Sequence, residues 1–233
     1  MKEDIQPIKA ILFDMDGTLI DSESQTDESI SRVMQKYNIT NAILPPYETR
    51  GRTWGSIVQS LIDRYLPKAN PSQIEKELIQ LWNELTKNVT PIPGAQSALK
   101  DASSFLKLTV VSSSPKSTIL EMMTKLEVIN YLIQIAIVGG DEVKHPKPDP
   151  ECFLASSLKL EIDPKNCIVF EDSLAGLEAA RIAGMHSVAV LYKSAQPDEC
   201  KKIASAHIED YTHIPKDFWK FLAQGKIFLA SHS

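Results

Sequence analysis

The chain has little cysteine, no excess of basic residues and no long apolar run, and each shortage removes a class of protein. Its three cysteines, Cys152, Cys167 and Cys200, are odd in number and form no C-x-x-C pair. Neither a disulfide framework nor a zinc site is therefore expected, and they read as reduced thiols. Lysine and arginine total 25 against 30 aspartates and glutamates, a net charge of −5. A nucleic-acid binder would show a basic stripe, so no nucleic-acid partner is expected; a locally positive pocket for an anionic substrate remains compatible with this balance. No stretch approaches the length of a membrane span, and MKEDIQPIK at the start lacks the apolar core of a signal peptide. The expectation is a cytoplasmic protein with no membrane partner. Internal repeats and low-complexity segments are missing too. What remains is 233 residues, 43% apolar and 24% charged, the make-up of an ordinary globular protein with chain enough for one large domain or two modest ones.

The stretch that organises the rest is IKAILFDMDGTLIDSE, residues 8–23. Ile8, Ala10, Ile11, Leu12 and Phe13 are too few for a stable lone helix and apolar enough for a strand covered on both faces. Asp14 and Asp16 then fall at its C-terminal end, where ligands bind in open α/β sheets. Gly17 lets the chain turn sharply, and Thr18 can hydrogen-bond the turn. After Asp21 the spacing becomes helical. Ile30, Val33, Met34 and Tyr37 predict a helix over 24–37, and Pro45 and Pro46 break it. Ile57, Val58, Leu61, Ile62 and Tyr65 mark a second helix ended by Pro67; Pro71 opens a third with Ile74, Leu78, Leu81, Trp82 and Leu85 as its stripe. Residues 22–90 thus read as a small all-helical domain inserted after the first strand, with TPIPG at 90–94 as its exit linker.

From there strands and helices alternate. Strands are predicted at Leu108–Ser112, Ile135–Val138, Cys167–Phe170 and Ser187–Leu191, and helices at 95–105, 116–129, 150–160 and 173–183. Such alternation argues for an α/β fold with a parallel sheet and helices on both faces. Phe218, Trp219 and Leu222 suggest a short packing helix, and KIFLASHS after Gly225 has no clear assignment.

Four places carry chemistry, and each falls at or just beyond a predicted strand end. Asp14 and Asp16 offer a nucleophile and a proton donor: a carboxylate can form an aspartyl-phosphate, and a second acid can protonate the departing alcohol and then deprotonate water. Turn and capping roles suit the same D-x-D. An EF-hand does not, since the glycine comes too early and Gln25 stands where glutamate would close the loop. In LTVVSSSP, Ser112 follows a strand and can donate to a phosphoryl oxygen, with backbone N–H groups from Ser113 onward adding donors; the same serines also signal a turn. In KHPKPDPECF, Lys147 precedes a proline in a stiff loop, where it can neutralise phosphate and nucleophile charge or simply be solvated. Lys144 and His145 compete with it. In IVFEDSLAG, Glu171 and Asp172 end a strand and Ser173 opens a helix as its cap. Set opposite Asp14, these acids complete a hard-oxygen site suited to magnesium.

DMDGTL at 14–19, the serine after TVV, KPDPECF at 147–153 and EDSLAG at 171–176 together resemble the four signatures of the haloacid dehalogenase superfamily, in family order across nearly the whole chain. The resemblance is to the phosphatase and phosphomutase branch with a helical cap. It implies a three-layer, Rossmann-like core built from residues 1–21 and 91–233, with residues 22–90 as the cap. It implies Asp14 as nucleophile and Mg2+ ligand, and Asp16 as general acid and base, lending its backbone carbonyl to the metal. Asp172 would complete the ligands, with Glu171 close behind, and Ser112 and Lys147 would hold the transferring phosphoryl group. Segments near Leu19–Ser22 and Val89–Pro93 would be hinge strands for cap closure. The loop RGRTWG at 50–55 matches a substrate-facing cap loop, so Arg52, Thr53 and Trp54 are candidates for reading the leaving group, as is Glu23 at the hinge. Capping by Thr53, packing by Trp54 and capping by Glu23 are their bland alternatives.

The function so implied is a magnesium-dependent phosphatase acting on a small phosphorylated metabolite, a sugar phosphate or a phosphoglycolate-like compound. A phosphomutase of the beta-phosphoglucomutase kind would use the same four signatures and is the alternative. A metal-free dehalogenase would leave Asp16 and the metal acids without a role. A non-catalytic binding protein of the same fold ranks lower, because clustered acids are costly unless a cation is bound. Nothing in the chain sets an oligomeric state.

Overall fold

A computed structural model of the chain describes residues 6–226. Five strands, β1 (Ala10–Phe13), β2 (Lys107–Val110), β3 (Cys167–Glu171), β4 (His186–Val190) and β5 (Ala206–Ile208), form one sheet in the order β2-β1-β3-β4-β5. All neighbours are parallel, and Phe13 sits level with Val110 on one side and Phe170 on the other. The sheet alternates as strands buried on both faces must. Ile11 and Phe13 join Ile168 and Phe170 in one apolar cluster with α4 (Ala95–Ala102), α5 (Lys116–Lys125) and α9 (Phe218–Ala223). Ala10 and Leu12 join Cys167 and Val169 in a second cluster with α6 (Glu151–Leu160) and α7 (Leu174–Ile182). This is the expected three-layer α/β core.

The chain leaves β1 for β2 on one side and later enters β3 on the other. Connections therefore diverge between β1 and β3, which opens a crevice beyond their carboxyl ends. That crevice is where the motif residues lie.

Between β1 and β2 the chain forms three helices, α1 (Glu23–Lys36), α2 (Trp54–Tyr65) and α3 (Pro71–Leu85). Thr53 caps α2 by accepting from the Ser56 amide, and Asn70 caps α3 by accepting from the Ser72 amide. Ile30, Val33, Ile57, Leu61, Ile74, Leu78 and Trp82 form the buried seam between them. The entry and exit of this insertion run antiparallel: Asp21 N–H donates to Thr90 and Ile92 N–H to Leu19, at 2.9 Å each.

Three parts of the sequence reading change. The expected strand at Ile135–Val138 does not form. Gln134–Ala136 is a 3-10 turn, Ile135 is 74% exposed, and only Val138 reaches the sheet, through Val111. The turn before it and Gly139–Gly140 after it leave one residue able to extend the ladder. The helix expected to run to 105 stops at Ala102, since Phe105 lies exposed and the chain must enter β2 at Lys107. An unanticipated helix, α8 (Pro197–Ile203), and the three-residue β5 complete the far edge of the sheet. Cys152, Cys167 and Cys200 are all unpaired and buried, as expected. Among the described residues no helix is long and apolar enough to cross a membrane. The stretch after Lys226 lies outside the described residues.

Leu12 is fully buried in the central strand, so Leu12→Ala should cost about 2–5 kcal/mol in urea unfolding. Ile135→Ala should shift stability by no more than about 0.5 kcal/mol; a large loss there would restore the missing strand.

Candidate active site

Lys147 lies at the centre of the crevice. It is 2% exposed, and its Nζ donates to Asp14 Oδ1 and to Glu171 Oε1, both at 2.7 Å, and to the Val111 carbonyl at 3.3 Å. The ring of Phe153 lies 5.0 Å from the ammonium. Burial alone would pull this lysine's pKa down, but the charges of Asp14 and Glu171 outweigh it and keep the group protonated. Lys144 and His145 are exposed on the same loop and take no part.

Asp14 follows β1 directly, its amide tied to the Phe170 carbonyl at 2.9 Å. Asp172 follows β3, its Oδ1 accepting from Thr18 at 3.1 Å. Gly17 makes this approach possible: it holds φ +77°, and a Cβ there would lie 2.3 Å from Asp172 Oδ2. Glu171 Oε2 accepts from the Ser173 amide at 2.7 Å and its hydroxyl at 2.9 Å, so both Glu171 oxygens are engaged by the chain. Ser173 also caps α7 through the Gly176 amide. Burial pushes the pKa values of Asp14 and Asp172 well above the usual carboxylate range. Lys147 restrains the rise at both, while the neighbouring acids add to it.

Asp16 faces a different set of partners. Its carboxylate accepts from Ser22 at 2.7 Å, Ser114 at 2.9 Å and Ser112 at 3.3 Å. Burial raises its pKa in spite of these bonds, a state suited to holding a proton. Ser22, at the N-cap of α1, makes no side-chain capping bond and spends its hydroxyl on Asp16 instead.

Ligating oxygens of Asp14, Glu171 and Asp172 lie within 4.8 Å of one another. An all-oxygen set with more negative charge than Lys147 can offset fits a hard divalent cation, which would relieve the desolvation that raises Asp14 and Asp172.

The insertion closes over this corner and leaves a cavity of about 30 Å³, room for roughly two water molecules. Its lining includes Asp14, Asp16, Ser112, Ser113 and Ser114 from the core, and Glu23, Arg52, Trp54 and Trp82 from the insertion. The four cap candidates behave differently. Trp54 lines the cavity and packs edge-on against Trp82 at 6.3 Å. Thr53 caps α2. Arg52 reaches the core, its Nη1 donating to the Lys147 carbonyl at 3.0 Å. Glu23 pairs with Arg50, which also holds Asp27; burial, partly offset by Arg50, raises the Glu23 pKa to about 8. Ser113 Oγ donates to the Gly51 carbonyl at 2.8 Å, a second tie between core and insertion. The sequence reading did not single out Ser22 or Ser114 as partners of Asp16, nor Trp82 as cavity wall. The SSSP run could have flagged Ser114; Trp82 carried only the signal of a buried helix stripe.

Residues 11–190 match the family described as haloacid dehalogenase-like hydrolase. The chain is similar to a phosphorylated carbohydrates phosphatase of Thermotoga maritima, 31% identical over 188 residues that cover 78% of this chain and 84% of the relative. It is 28% identical to a 6-phosphogluconate phosphatase of Escherichia coli over 223 residues, 91% of this chain and 95% of the other. A solved structure from Bacteroides vulgatus, described as a putative beta-phosphoglucomutase, superposes with a TM-score of 0.80 at 24% identity, covering 95% of this chain and 91% of that one. At that identity the likeness is one of fold.

Lys147→Met should cost about 3–5 kcal/mol in unfolding experiments, because it leaves two buried carboxylates without their counter-charge. The exposed neighbour provides the contrast: Lys144→Ala should stay within about 0.5 kcal/mol of the parent.

Proposed function

The chain belongs to the haloacid dehalogenase-like hydrolase family, and from that premise we propose that it is a magnesium-dependent phosphatase of small phosphorylated metabolites. The observation that carries the reading is the division of labour between the two strand-end acids. Asp14 sits against an ammonium and beside Asp172, whereas Asp16 sits among three hydroxyls with its pKa raised. Burial raises both carboxyls, so what separates them is their partners: the Lys147 ammonium, joined by a bound divalent cation, would favour the Asp14 anion, whereas Asp16 has only hydroxyls beside it and can keep a proton.

In this mechanism an Asp14 oxygen attacks phosphorus, the phosphorus–ester oxygen bond breaks, and Asp16 gives its proton to the departing alkoxide. Asp16 then takes a proton from water, whose oxygen attacks the aspartyl-phosphate and frees phosphate and Asp14. Ser112 and Lys147 hold the phosphoryl oxygens, with the Ser113 amide as a further donor, so catalysis is positioning and charge compensation. Asp14, Asp172 and the Asp16 backbone carbonyl, with Glu171 close behind, would hold magnesium, which when bound would supply counter-charge for the phosphoryl oxygens.

Residues 22–90 act as a cap on the core of 1–21 and 91–233. A cavity of about 30 Å³ cannot admit a sugar phosphate, so the cap must open, turning on the crossing segments at Leu19–Asp21 and Thr90–Ile92. Opening would part Arg52 from the Lys147 carbonyl and Ser113 from Gly51. The relatives named as phosphatases of carbohydrate phosphates and of 6-phosphogluconate favour hydrolysis over phosphoryl transfer between sugar positions.

A screen of phosphorylated metabolites with Mg2+ should reveal phosphate release that chelation abolishes. Asp14→Asn should lower the rate by a factor on the order of 10⁴ or more. Full activity in that variant would remove Asp14 as nucleophile, and conversion of a hexose 1-phosphate to its 6-phosphate faster than phosphate appears would reverse the choice against a mutase. Mg2+ should also raise the melting temperature, an effect that Asp172→Asn should weaken.

A further inference from the structure

The two sides of the cavity differ in chemistry. Groups suited to a phosphoryl oxygen or a metal come from the core, whereas the insertion contributes the apolar faces of Trp54, Ile57 and Trp82, which are 7%, 2% and 2% exposed. Most polar side chains of the insertion are engaged by the chain itself. Thr26 Oγ1 accepts from Trp82 Nε1 at 3.2 Å and donates to the Ser22 carbonyl at 3.3 Å. Arg52 donates from Nε to the Tyr47 carbonyl at 3.1 Å and from Nη1 to the Lys147 carbonyl at 3.0 Å. Arg50 is neutralised by Glu23 and Asp27. Of the four ionisable side chains lining the cavity, Asp14, Asp16 and Glu23 are acids and Arg52 is a cation.

We infer that this wall selects phosphate monoesters whose leaving group is a ring presenting an apolar face. The inference rests on the phosphatase reading and narrows its substrate class. The aromatic wall buries a ring's C–H or π face, which gives it a surface to recognise without hydrogen bonds. A small leaving group without a ring would gain little from that surface. Thr26, Trp82 and the Glu23–Arg50–Asp27 group belong to the insertion alone, so their mutual bonds survive cap opening and keep the wall in this state when substrate enters.

The test compares kcat/KM, by phosphate release with saturating Mg2+, for benzyl and cyclohexyl phosphate against phosphoglycolate and ethyl phosphate, all esters of alkyl alcohols. The ring monoesters should lead by about tenfold or more. Trp54→Ala should lower kcat/KM for benzyl phosphate about tenfold more than for phosphoglycolate, and Trp54→Phe should retain most of the preference. Equal rates, or a lead for phosphoglycolate or ethyl phosphate, would overturn the inference while leaving the phosphatase intact. No phosphate from any ester would instead sink the phosphatase reading and the inference with it. The ranking on the unaltered protein decides the matter even if Trp54→Ala does not fold.

Discussion

The ammonium of Lys147, buried between the carboxylates of Asp14 and Glu171, is the contact on which the rest of this structure turns. It joins the carboxyl ends of the two central strands, where four acids crowd into one crevice. A cation at 2.7 Å from two of them offsets part of the repulsion that low dielectric magnifies. The remaining negative charge is what makes the corner chemically useful. Burial, with this repulsion added to it, raises Asp14 and Asp172 well above ordinary carboxylates, a condition that a divalent cation would relieve. Structure and reactivity thus come from the same imbalance of charge.

Everything around the lysine serves to keep it in place. Phe153 supports it from α6, and the Val111 carbonyl takes its third proton. Ser173 fills the far side of Glu171, so that carboxylate can face the lysine without leaving an oxygen unpaired. Even the helical insertion touches this contact, since Arg52 rests on the carbonyl of Lys147 itself. Closure of the insertion and placement of the ammonium are therefore neighbouring events on one loop.

The insertion does more than cover the site. Its first residues supply Ser22 to Asp16, and its helices present aromatic faces because their polar side chains have paired with one another. Side chains able to bind charge, from the core, and indole rings, from the insertion, thus line one cavity.

Much of the core was legible before any coordinates. Strands such as AILF and CIVF announce themselves because burial on both faces requires unbroken apolar runs, and Pro71 and Thr53 mark helix starts by local chemistry. Ile135–Val138 looked the same by composition and failed, since a strand needs a partner along its length and only Val138 found one. β5, with three half-buried residues, exists through its pairing with β4 and so left little trace in the sequence. In the site, Asp14, Asp16 and the acids of 171 and 172 were visible as polar residues placed where apolar runs end, whereas Lys147 stood in a proline-flanked loop and was singled out by the family resemblance. By itself, then, the sequence determined which residues reach the strand ends, because periodicity and turn chemistry are local. Only the tertiary structure decided which of them meet: that Lys147 rather than Lys144 is buried, that Ser114 joins Ser112 on Asp16, that Thr53 caps a helix while Trp54 and Trp82 form a wall. Those choices depend on which distant segments share a volume, and burial and charge compensation act only once they do.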